Sequence, residues 1–253
     1  MLLEITGLTK NFGGLAAVRD FNMYIKEGEL LGLIGPNGAG KTTIFNLITS
    51  IYKPTRGKII FDGKDITNKK PHDIARMGIG RTFQLNPLFS HFTVLQNVST
   101  SFHLYPKSSL PDIYFNTAKY RRNEAYVLEQ SKEILKLVGL DKVEHELAKN
   151  LPHGHQKMLG VARALAVKPR LLILDEPISG MNPSEIDFTF DAIKKMQQQK
   201  ITILLVEHNM KILELCERVV VISFGQKIAE GSPKELRENK EVIKAYFGGE
   251  HVT

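Results

Sequence analysis

The chain has 253 residues, of which 42% are hydrophobic and 24% charged, with 20 Gly and 11 Pro. This balance is typical of a globular protein and excludes disordered, collagen-like and disulfide-scaffold proteins, while the single cysteine excludes a cysteine-rich zinc module. The net charge of +7 comes from Lys and Arg scattered along the sequence, so a solvated basic surface is favoured over a nucleic-acid interface.

Nothing in the sequence predicts a membrane span. The apolar runs, such as Ile201–Val206, are far shorter than the roughly 18–20 residues that a spanning helix needs. The N-terminal MLLEITGLTKNF lacks the charged and apolar regions of a signal peptide. We therefore expect a cytosolic chain whose contact with a membrane is made through a partner.

Short apolar runs bounded by Gly, Asp or Pro predict strands along most of the chain. In chain order they are Leu2–Ile5, Asn22–Ile25, Leu30–Ile34, Lys58–Phe61, Leu171–Leu174, Ile201–Val206, Arg218–Ser223 and Gln226–Ala229. The runs that are apolar throughout predict central parallel strands covered on both faces.

The pattern changes between Asn86 and Lys168, where no strand-like alternation occurs. One helical face is predicted there from the spacing of Val127, Leu128, Ile134, Leu135 and Val138. After Gly231, the sequence Ser232-Pro233-Lys234-Glu235 predicts an N-cap with a capping box, followed by short helices. The sequence therefore predicts an α/β core interrupted by a helical segment.

A phosphate-binding loop is predicted between the strand Leu30–Ile34 and the helical run Thr43–Ile48. Its residues match G-x-x-x-x-G-K-[ST] and are Gly35, Pro36, Asn37, Gly38, Ala39, Gly40, Lys41 and Thr42. Glycines let successive backbone N–H groups surround a polyphosphate, and the helix N-terminus adds its positive dipole. Lys41 is expected to bridge the β- and γ-phosphates, and the Thr42 hydroxyl to bind Mg²⁺.

Two adjacent carboxylates, Asp175 and Glu176, follow the buried strand Leu171–Leu174. Ligands of such sheets lie beyond the carboxyl ends of the strands, which is the edge where the phosphate loop begins. We expect Asp175 to reach Mg²⁺, directly or through water, and Glu176 to polarise the attacking water.

Three further residues are candidates for the same site. Gln84 precedes the helical segment, His208 follows the strand Ile201–Val206, and Phe12 lies in KNFGGLAAV. Position alone favours ordinary roles for them, namely a loop glutamine, a helix-start histidine and a core aromatic.

The order of these motifs resembles that of the ATP-binding cassette (ABC) ATPases over essentially the whole chain. The closest likeness is to the larger ATPase subunit of the branched-chain (hydrophobic) amino acid uptake family. The segments that carry it are RTFQLNPLF (81–89), LPHGHQK (151–157), SGMNP (179–183), VEHNMK (206–211) and VIKAYFG (242–248), while LLILDEP (171–177) belongs to the wider resemblance to ABC ATPases.

This resemblance implies a P-loop core with a mixed sheet, central parallel strands and an N-terminal antiparallel β part. It implies core segments 1–85 and 162–231, a helical subdomain 86–161 and C-terminal helices 232–253 within a single ABC domain. To the phosphate loop, the resemblance adds five implied nucleotide contacts. Phe12 would stack on adenine, and the others are Val18, Thr43, Gln84 of the Q-loop and His208 of the H-loop. The implied catalytic base is Glu176, helped by Lys41 and His208. Gln84 would also join Thr42 and Asp175 at the metal.

The implied partners are a second ABC ATPase subunit, identical or different, two membrane permeases and an extracytoplasmic binding protein reached through them. The chain would lie on the inner face of the cell membrane, and Leu85–Phe92 would receive a permease helix. Each ATP would lie between the phosphate loop of one subunit and the signature segment of the other, here Pro152, His153, Gly154, His155 and Gln156.

This signature segment departs from the usual LSGGQ. Pro152 replaces a serine whose hydroxyl would bond the partner's γ-phosphate, so we expect a weaker half-site. Backbone N–H groups of Gly154, His155 and Gln156 are expected to face the phosphate still. In addition, Asn182 replaces the usual D-loop aspartate.

Other function classes remain open. They are urea or aromatic-acid uptake, polar-lipid export, and a soluble ABC protein that does not take part in transport. The single cassette, the single Cys and the lack of a long heptad run argue against the last of these.

Overall fold

The computed structural model describes residues 1–82, 88–102, 108–207 and 210–247. Its strands are β1 (Leu3–Phe12), β2 (Leu15–Ile25), β3 (Leu30–Ile34), β4 (Arg56–Phe61), β5 (Lys64–Asp65), β6 (Ile79–Arg81), β7 (Leu171–Asp175), β8 (Thr202–Val206), β9 (Arg218–Ser223) and β10 (Gln226–Gly231). Its α-helices are α1 (Lys41–Ile48), α2 (Pro71–Arg76), α3 (Val94–Ser99), α4 (Leu110–Tyr114), α5 (Ala118–Val138), α6 (His153–Ala166), α7 (Pro183–Gln198), α8 (Met210–Leu213), α9 (Pro233–Arg237) and α10 (Lys240–Phe247).

The strands form two sheets. Four strands pair in the order β2-β1-β4-β5, and all their pairings are antiparallel. Six strands pair in the order β10-β9-β3-β8-β7-β6, in which only the pairing of β10 with β9 is antiparallel. The predicted parallel centre and N-terminal antiparallel part are confirmed.

The central strands β3, β7 and β8 are buried at every position, as their continuous apolar sequences predict for strands covered on both faces. The buried apolar core here includes side chains from both sheets and from α1, among them Phe21, Phe45 and Ile173.

The first two strands are longer than the sequence pattern predicts. β1 continues to Phe12 and β2 begins at Leu15, with irregular register along their pairing. Gly7 and Asp20, with φ of +60° and +44°, interrupt the alternation of side chains. Because the period of two is broken, each strand shows only a short stretch of regular pattern in the sequence.

The chain divides into two compact units. One comprises Met1–Arg81, Arg170–Glu176 and Gln197–Thr253, and the other Thr82–Pro169 and Pro177–Met196. In the second unit the described residues form helices and no sheet, and α3, α5 and α6 pack against one another. No helix among the described residues is long and apolar enough to cross a membrane.

Helix α5 contains the predicted apolar face with one error. Val127, Leu135 and Val138 are buried, whereas Leu128 is 45% exposed. Ser131 takes the place on the buried face, one turn after Val127, where its hydroxyl donates to the Val127 carbonyl at 2.7 Å. Such a bond removes the cost of burying a serine, which is why hydrophobicity alone misplaced the face.

The predicted C-terminal capping box is confirmed. Ser232 Oγ accepts from the Glu235 N–H at 3.3 Å, and the Ser232 N–H donates to Glu235 Oε2 at 2.7 Å. Pro233 occupies the first position of α9, where its lack of an N–H costs nothing.

Candidate nucleotide-binding site

The phosphate loop joins the buried end of β3 to the first residue of α1, as the motif requires. Glycine is required at its two ends. A Cβ on Gly35 would lie 2.2 Å from the Ile222 carbonyl oxygen, and one on Gly40, with φ of +106°, would lie 2.6 Å from the Ala17 carbonyl oxygen. The loop therefore packs directly on neighbouring backbone and leaves its outer face for a ligand.

Neighbouring segments of the same unit hold the loop in place. The Ala39 carbonyl accepts from the Gly225 N–H at 2.9 Å, and the Gly225 carbonyl accepts from the Arg19 N–H at 2.8 Å. Val18 is fully buried and supports the loop, because the Cβ position at Gly40 lies 3.7 Å from a Val18 methyl. The Val18 side chain was predicted to contact the nucleotide, but in this structure none of its surface is exposed.

The C-terminal helix also contacts the loop. The Tyr246 side chain in α10 hydrogen-bonds with the backbone of Gly35, and burial raises the pKa of Tyr246. Sequence analysis gave this tyrosine no role. The only signal for it was its place within the segment VIKAYFG.

Helix α1 starts at Lys41, so Thr42 and Thr43 lie in its first turn, where backbone N–H groups have no helical acceptor. Lys41 Nζ donates to the carbonyls of Gly35 at 2.6 Å and Pro36 at 3.0 Å. Burial lowers the pKa of Lys41, while the charges of Glu176 and Asp175 act in the opposite direction. The loop thus carries a half-buried ammonium beside two carboxylates, a site suited to a polyphosphate with its metal.

The two carboxylates have different environments. Asp175 ends β7 and is buried, and burial raises the pKa of its carboxyl while the Arg81 guanidinium opposes that change. Glu176 has a φ of +48° and donates its N–H to the Val206 carbonyl at 3.0 Å. Non-glycine residues rarely adopt this conformation, and the bond to Val206 holds the Glu176 backbone in a turn directly after β7.

Arg81 is a site residue that sequence analysis did not assign. Its Nη2 lies 3.0 Å from Asp175 Oδ2, and both side chains are about 95% buried. Its Nη1 donates to Asn46 Oδ1 of α1 at 2.7 Å. Arg81 therefore links the edge strand β6 and helix α1 to the carboxylate at the end of β7.

We expect Arg81→Met to lower the free energy of unfolding by about 3–5 kcal/mol, because the Asp175 carboxylate would lose its buried cation. Urea unfolding measures the change. The double variant Arg81→Met/Asp175→Asn should recover most of the loss, since no buried charge would then lack its partner. Equal stability of the single and double variants would contradict this role of the ion pair.

The metal ligands predicted in this part of the site are Thr42 and Asp175. The described residues contain no group of three or more His, Cys, Asp or Glu side chains that could hold a metal by themselves. A magnesium ion in a nucleotide site commonly takes one or two protein oxygens plus phosphate oxygens and water. A hydroxyl in the first turn of α1 and the carboxylate of Asp175 fit that requirement.

Phe12 lies at the end of β1 and is 41% exposed. Its ring meets Tyr52 edge-on at 5.2 Å between centroids, and Lys10 Nζ lies 5.0 Å from its centroid. The residue is therefore not in the core, and part of its surface remains available for stacking. Gln84 and His208, predicted at the same site, lie outside the described residues.

The signature segment opens helix α6, with Pro152 as its N-cap residue and no side-chain cap. The Gly154 N–H donates to Glu185 Oε1 at 2.7 Å, and the Gln156 N–H donates to the Pro152 carbonyl at 3.0 Å. Both amides therefore have acceptors within this chain, and their contact with a partner's phosphate stays a prediction. The first amide is held by a carboxylate and the second belongs to the helix.

Comparison with known proteins agrees with this geometry. A family model described as "ABC transporter" matches residues 18–179, and one described as "Branched-chain amino acid ATP-binding cassette transporter" matches residues 226–252. The chain is 40% identical over 249 residues to the high-affinity branched-chain amino acid transport ATP-binding protein BraF of Pseudomonas aeruginosa. This match covers 98% of each protein.

The likeness extends to another relative and to a solved structure. The chain is 39% identical over 249 residues to the corresponding protein LivG of Escherichia coli, again with 98% of each covered. The crystal structure of MJ1267, an ATP-binding cassette of an ABC transporter in its ADP conformation, matches with a TM-score of 0.83 and 32% identity over 98% of both chains. The chain therefore belongs to the ABC transporter ATP-binding proteins, within their branched-chain amino acid transport family.

Proposed function

We propose that this chain hydrolyses ATP to energise an importer of branched-chain or other hydrophobic amino acids. The observation that carries the hydrolytic part is the grouping of Lys41, Asp175 and Glu176 within one compact unit, with the two carboxylates acting on the lysine. The cargo rests on the full-length likeness to BraF and LivG, whose names state branched-chain amino acid transport.

The residues divide the chemistry between them. The N–H groups at the start of α1 bind the phosphates, and Lys41 exchanges the Gly35 and Pro36 carbonyls for phosphate oxygens. Phe12 stacks on adenine with its exposed face. Glu176 orients the attacking water and accepts its proton, and Gln84 and His208 complete the site around the γ-phosphate.

Thr42 and Asp175 would hold Mg²⁺, joined by Gln84. The bound ion would neutralise the negative charge that develops on the β- and γ-phosphate oxygens during hydrolysis. The burial that raises the pKa of Asp175 also favours a cationic neighbour for its ionised form.

The chain would act in a pair, with each ATP held by one subunit's phosphate loop and completed by the other's signature segment. Two permeases would bind the pair on the inner face of the membrane and would be loaded by an extracytoplasmic binding protein. Phe89 and Phe92, which lie in the predicted permease-binding stretch Leu85–Phe92, support this proposal because they are 47% and 41% exposed. Leu85 and Pro87 of that stretch lie outside the described residues.

We expect Phe89→Ser to reduce recovery of the permease complex several-fold without lowering the unfolding midpoint of the isolated chain. The Phe89 backbone is already fixed, since its N–H donates to Asn97 Oδ1 at 2.9 Å and its carbonyl accepts from Asn97 Nδ2 at 3.0 Å. Co-purification with tagged permease measures assembly. A lowered midpoint with normal assembly would assign the Phe89 ring to packing inside the helical unit instead.

Pro152 leads us to propose that this chain supplies the weaker signature segment and works best beside a different ATPase subunit. We expect Pro152→Ser to raise hydrolysis of the chain alone by roughly one to two orders of magnitude, as one added hydrogen bond to a charged phosphate would allow. The test compares ATPase rates of the chain alone and mixed with the partner subunit. Equal rates alone and mixed, or no effect of Pro152→Ser, would overturn the proposal.

Uptake by cells tests the cargo. Cells whose copy of this chain carries Glu176→Gln should lose ATP-dependent uptake of labelled leucine, isoleucine and valine and keep uptake of unrelated solutes. If uptake of urea or of aromatic acids is lost instead, the chain is the ATPase of a transporter for that solute. Unchanged uptake of every solute would favour a lipid exporter or a non-transport role.

A further inference from the structure

The side chain of Glu185 in the first turn of α7 bridges two backbone amides from separate parts of the chain. Its Oε1 accepts from the Gly154 N–H at 2.7 Å, 31 positions away, and its Oε2 accepts from the Asn182 N–H at 3.0 Å. The first amide belongs to the signature segment and the second to the D-loop. One carboxylate therefore connects the D-loop to the signature segment, which the proposed function places at the ATP of the other subunit.

The base of this bridge is itself fixed. Asn182 Oδ1 accepts from the Glu185 N–H at 3.0 Å and from Ser184 Oγ at 2.7 Å. Together with the bond from the Asn182 N–H, this is the reciprocal pattern of a helix capping box. A capping box uses one carboxylate oxygen, so the bond from Glu185 Oε1 to Gly154 is an addition that capping does not require.

The signature segment is shaped to receive this side chain. A Cβ on Gly154 would lie 2.9 Å from both Cβ and Cγ of Glu185, a distance that real Cβ atoms do not tolerate. Glycine at position 154 thus allows the backbone to approach Glu185 closely. In addition, a carboxylate beside the first turn of α6 lies where the helix dipole favours negative charge.

Two further contacts join the same segments. The His155 ring stacks on the ring of Phe188, which lies one turn after Glu185. The two ring centroids are 4.5 Å apart, and the angle between the ring planes is 13°. Phe188 is confined from another direction, since a Cβ on Gly139 would lie 2.7 Å from its ring. Lys157 Nζ donates to the Ser179 carbonyl at 2.6 Å. The signature segment and the residues around the D-loop therefore form one connected block.

The charge state of Glu185 suits this role. The Gly154 and Asn182 amides hold the pKa of Glu185 below its usual value, and His153 and His155 act in the same direction. The carboxylate is therefore ionised at neutral pH and accepts with both oxygens.

We propose that Glu185 is a positioning residue for ATP hydrolysis, because it fixes the Gly154 amide of the signature segment to the D-loop so that the two move as one. This inference rests on the proposed pairing, in which the signature segment completes the ATP site of the other subunit. Glu185 is not a catalytic residue here, since it acts through Gly154 and Asn182.

The test measures ATP hydrolysis by the ATPase pair purified with its transporter. We expect Glu185→Ala to lower kcat about tenfold and to leave KM for ATP within twofold, because the phosphate loop that binds ATP is untouched while the completing segment is misplaced. Glu185→Gln offers one acceptor oxygen for two amides, so its kcat should be intermediate.

Glu235→Ala is the matched control. Glu235 holds the same place in the capping box of α9, where its Oε2 accepts from the Ser232 N–H at 2.7 Å. It has no part in the signature segment, so its loss should lower thermal stability through the lost helix cap while leaving kcat unchanged. Equal ATPase activity of Glu185→Ala and Glu235→Ala would overturn the inference, as would a raised KM with unchanged kcat.

Two arms keep the outcome clear. If Glu185→Ala fails to fold, the measured kcat of Glu185→Gln decides. An intermediate kcat supports the inference, and a kcat of Glu185→Gln equal to that of the unsubstituted chain overturns it. A Glu176→Gln arm reports on the pairing itself. Absence of an ATP-bound pair there would contradict the proposed function. If that pair forms, but Glu185→Ala in a chain that keeps Glu176 leaves kcat unchanged, only this inference is contradicted.

Discussion

Glu176→Gln should bind Mg-ATP with unchanged affinity and hydrolyse it roughly 10²–10⁴-fold more slowly, the usual contribution of a general base. Glutamine has the same shape, so the backbone at φ of +48° and the N–H bond to Val206 remain. What the amide cannot do is accept the proton of the attacking water. ATP should therefore persist between the subunits, and the variant should accumulate as an ATP-bound pair.

A single-turnover assay with labelled ATP measures the chemical step, and size-exclusion chromatography with and without ATP measures the pair. Urea unfolding controls for folding, since the midpoint should match that of the unsubstituted chain. A near-normal single-turnover rate would show that another group takes the proton.

Lys41→Ala should weaken ATP binding by about a hundredfold or more. The ammonium is half-buried in the loop beside Glu176 and Asp175. A hydrogen bond to a charged group is worth about 1.5–3 kcal/mol, and Lys41 would make more than one of them to the phosphates of bound ATP. Without Lys41, the two carboxylates also repel the phosphates without compensation.

Isothermal titration calorimetry with ATP measures this loss. Lys195→Ala, an exposed lysine of α7, removes the same charge elsewhere and should leave the affinity unchanged. Equal affinity of the Lys41→Ala and unsubstituted chains would contradict the assignment of residues 35–42 as the phosphate loop.

The elements predicted correctly from the sequence are those whose signal lies within one short segment. The loop of residues 35–42 lies between β3 and α1, as one continuous motif predicts. The strands β3, β7 and β8 are buried at every position, as their largely apolar sequences predict for strands covered on both faces. The capping box at Ser232 likewise needs only four consecutive residues.

What the sequence did not predict depends on partners that are distant along the chain. The Arg81–Asp175 ion pair joins residues 94 positions apart, and the Glu185–Gly154 bond joins residues 31 apart. No sequence motif predicts either pair from its spacing. The order of the strands and the packing of the helices bring the partners together, and both depend on the whole fold. The left-handed turn at Glu176 was missed for the same reason, since its N–H bonds to the neighbouring strand β8.

The most direct test of the proposed function is ATP-dependent leucine accumulation in proteoliposomes. The vesicles contain the complete purified transporter with this chain, with ATP on the side of the ATPase subunits and leucine-loaded binding protein on the other. We predict that leucine accumulates against its gradient with the unsubstituted chain and that both accumulation and phosphate release stop with Glu176→Gln. Accumulation that continues with Glu176→Gln, or ATP hydrolysis that moves no leucine, would contradict the proposal.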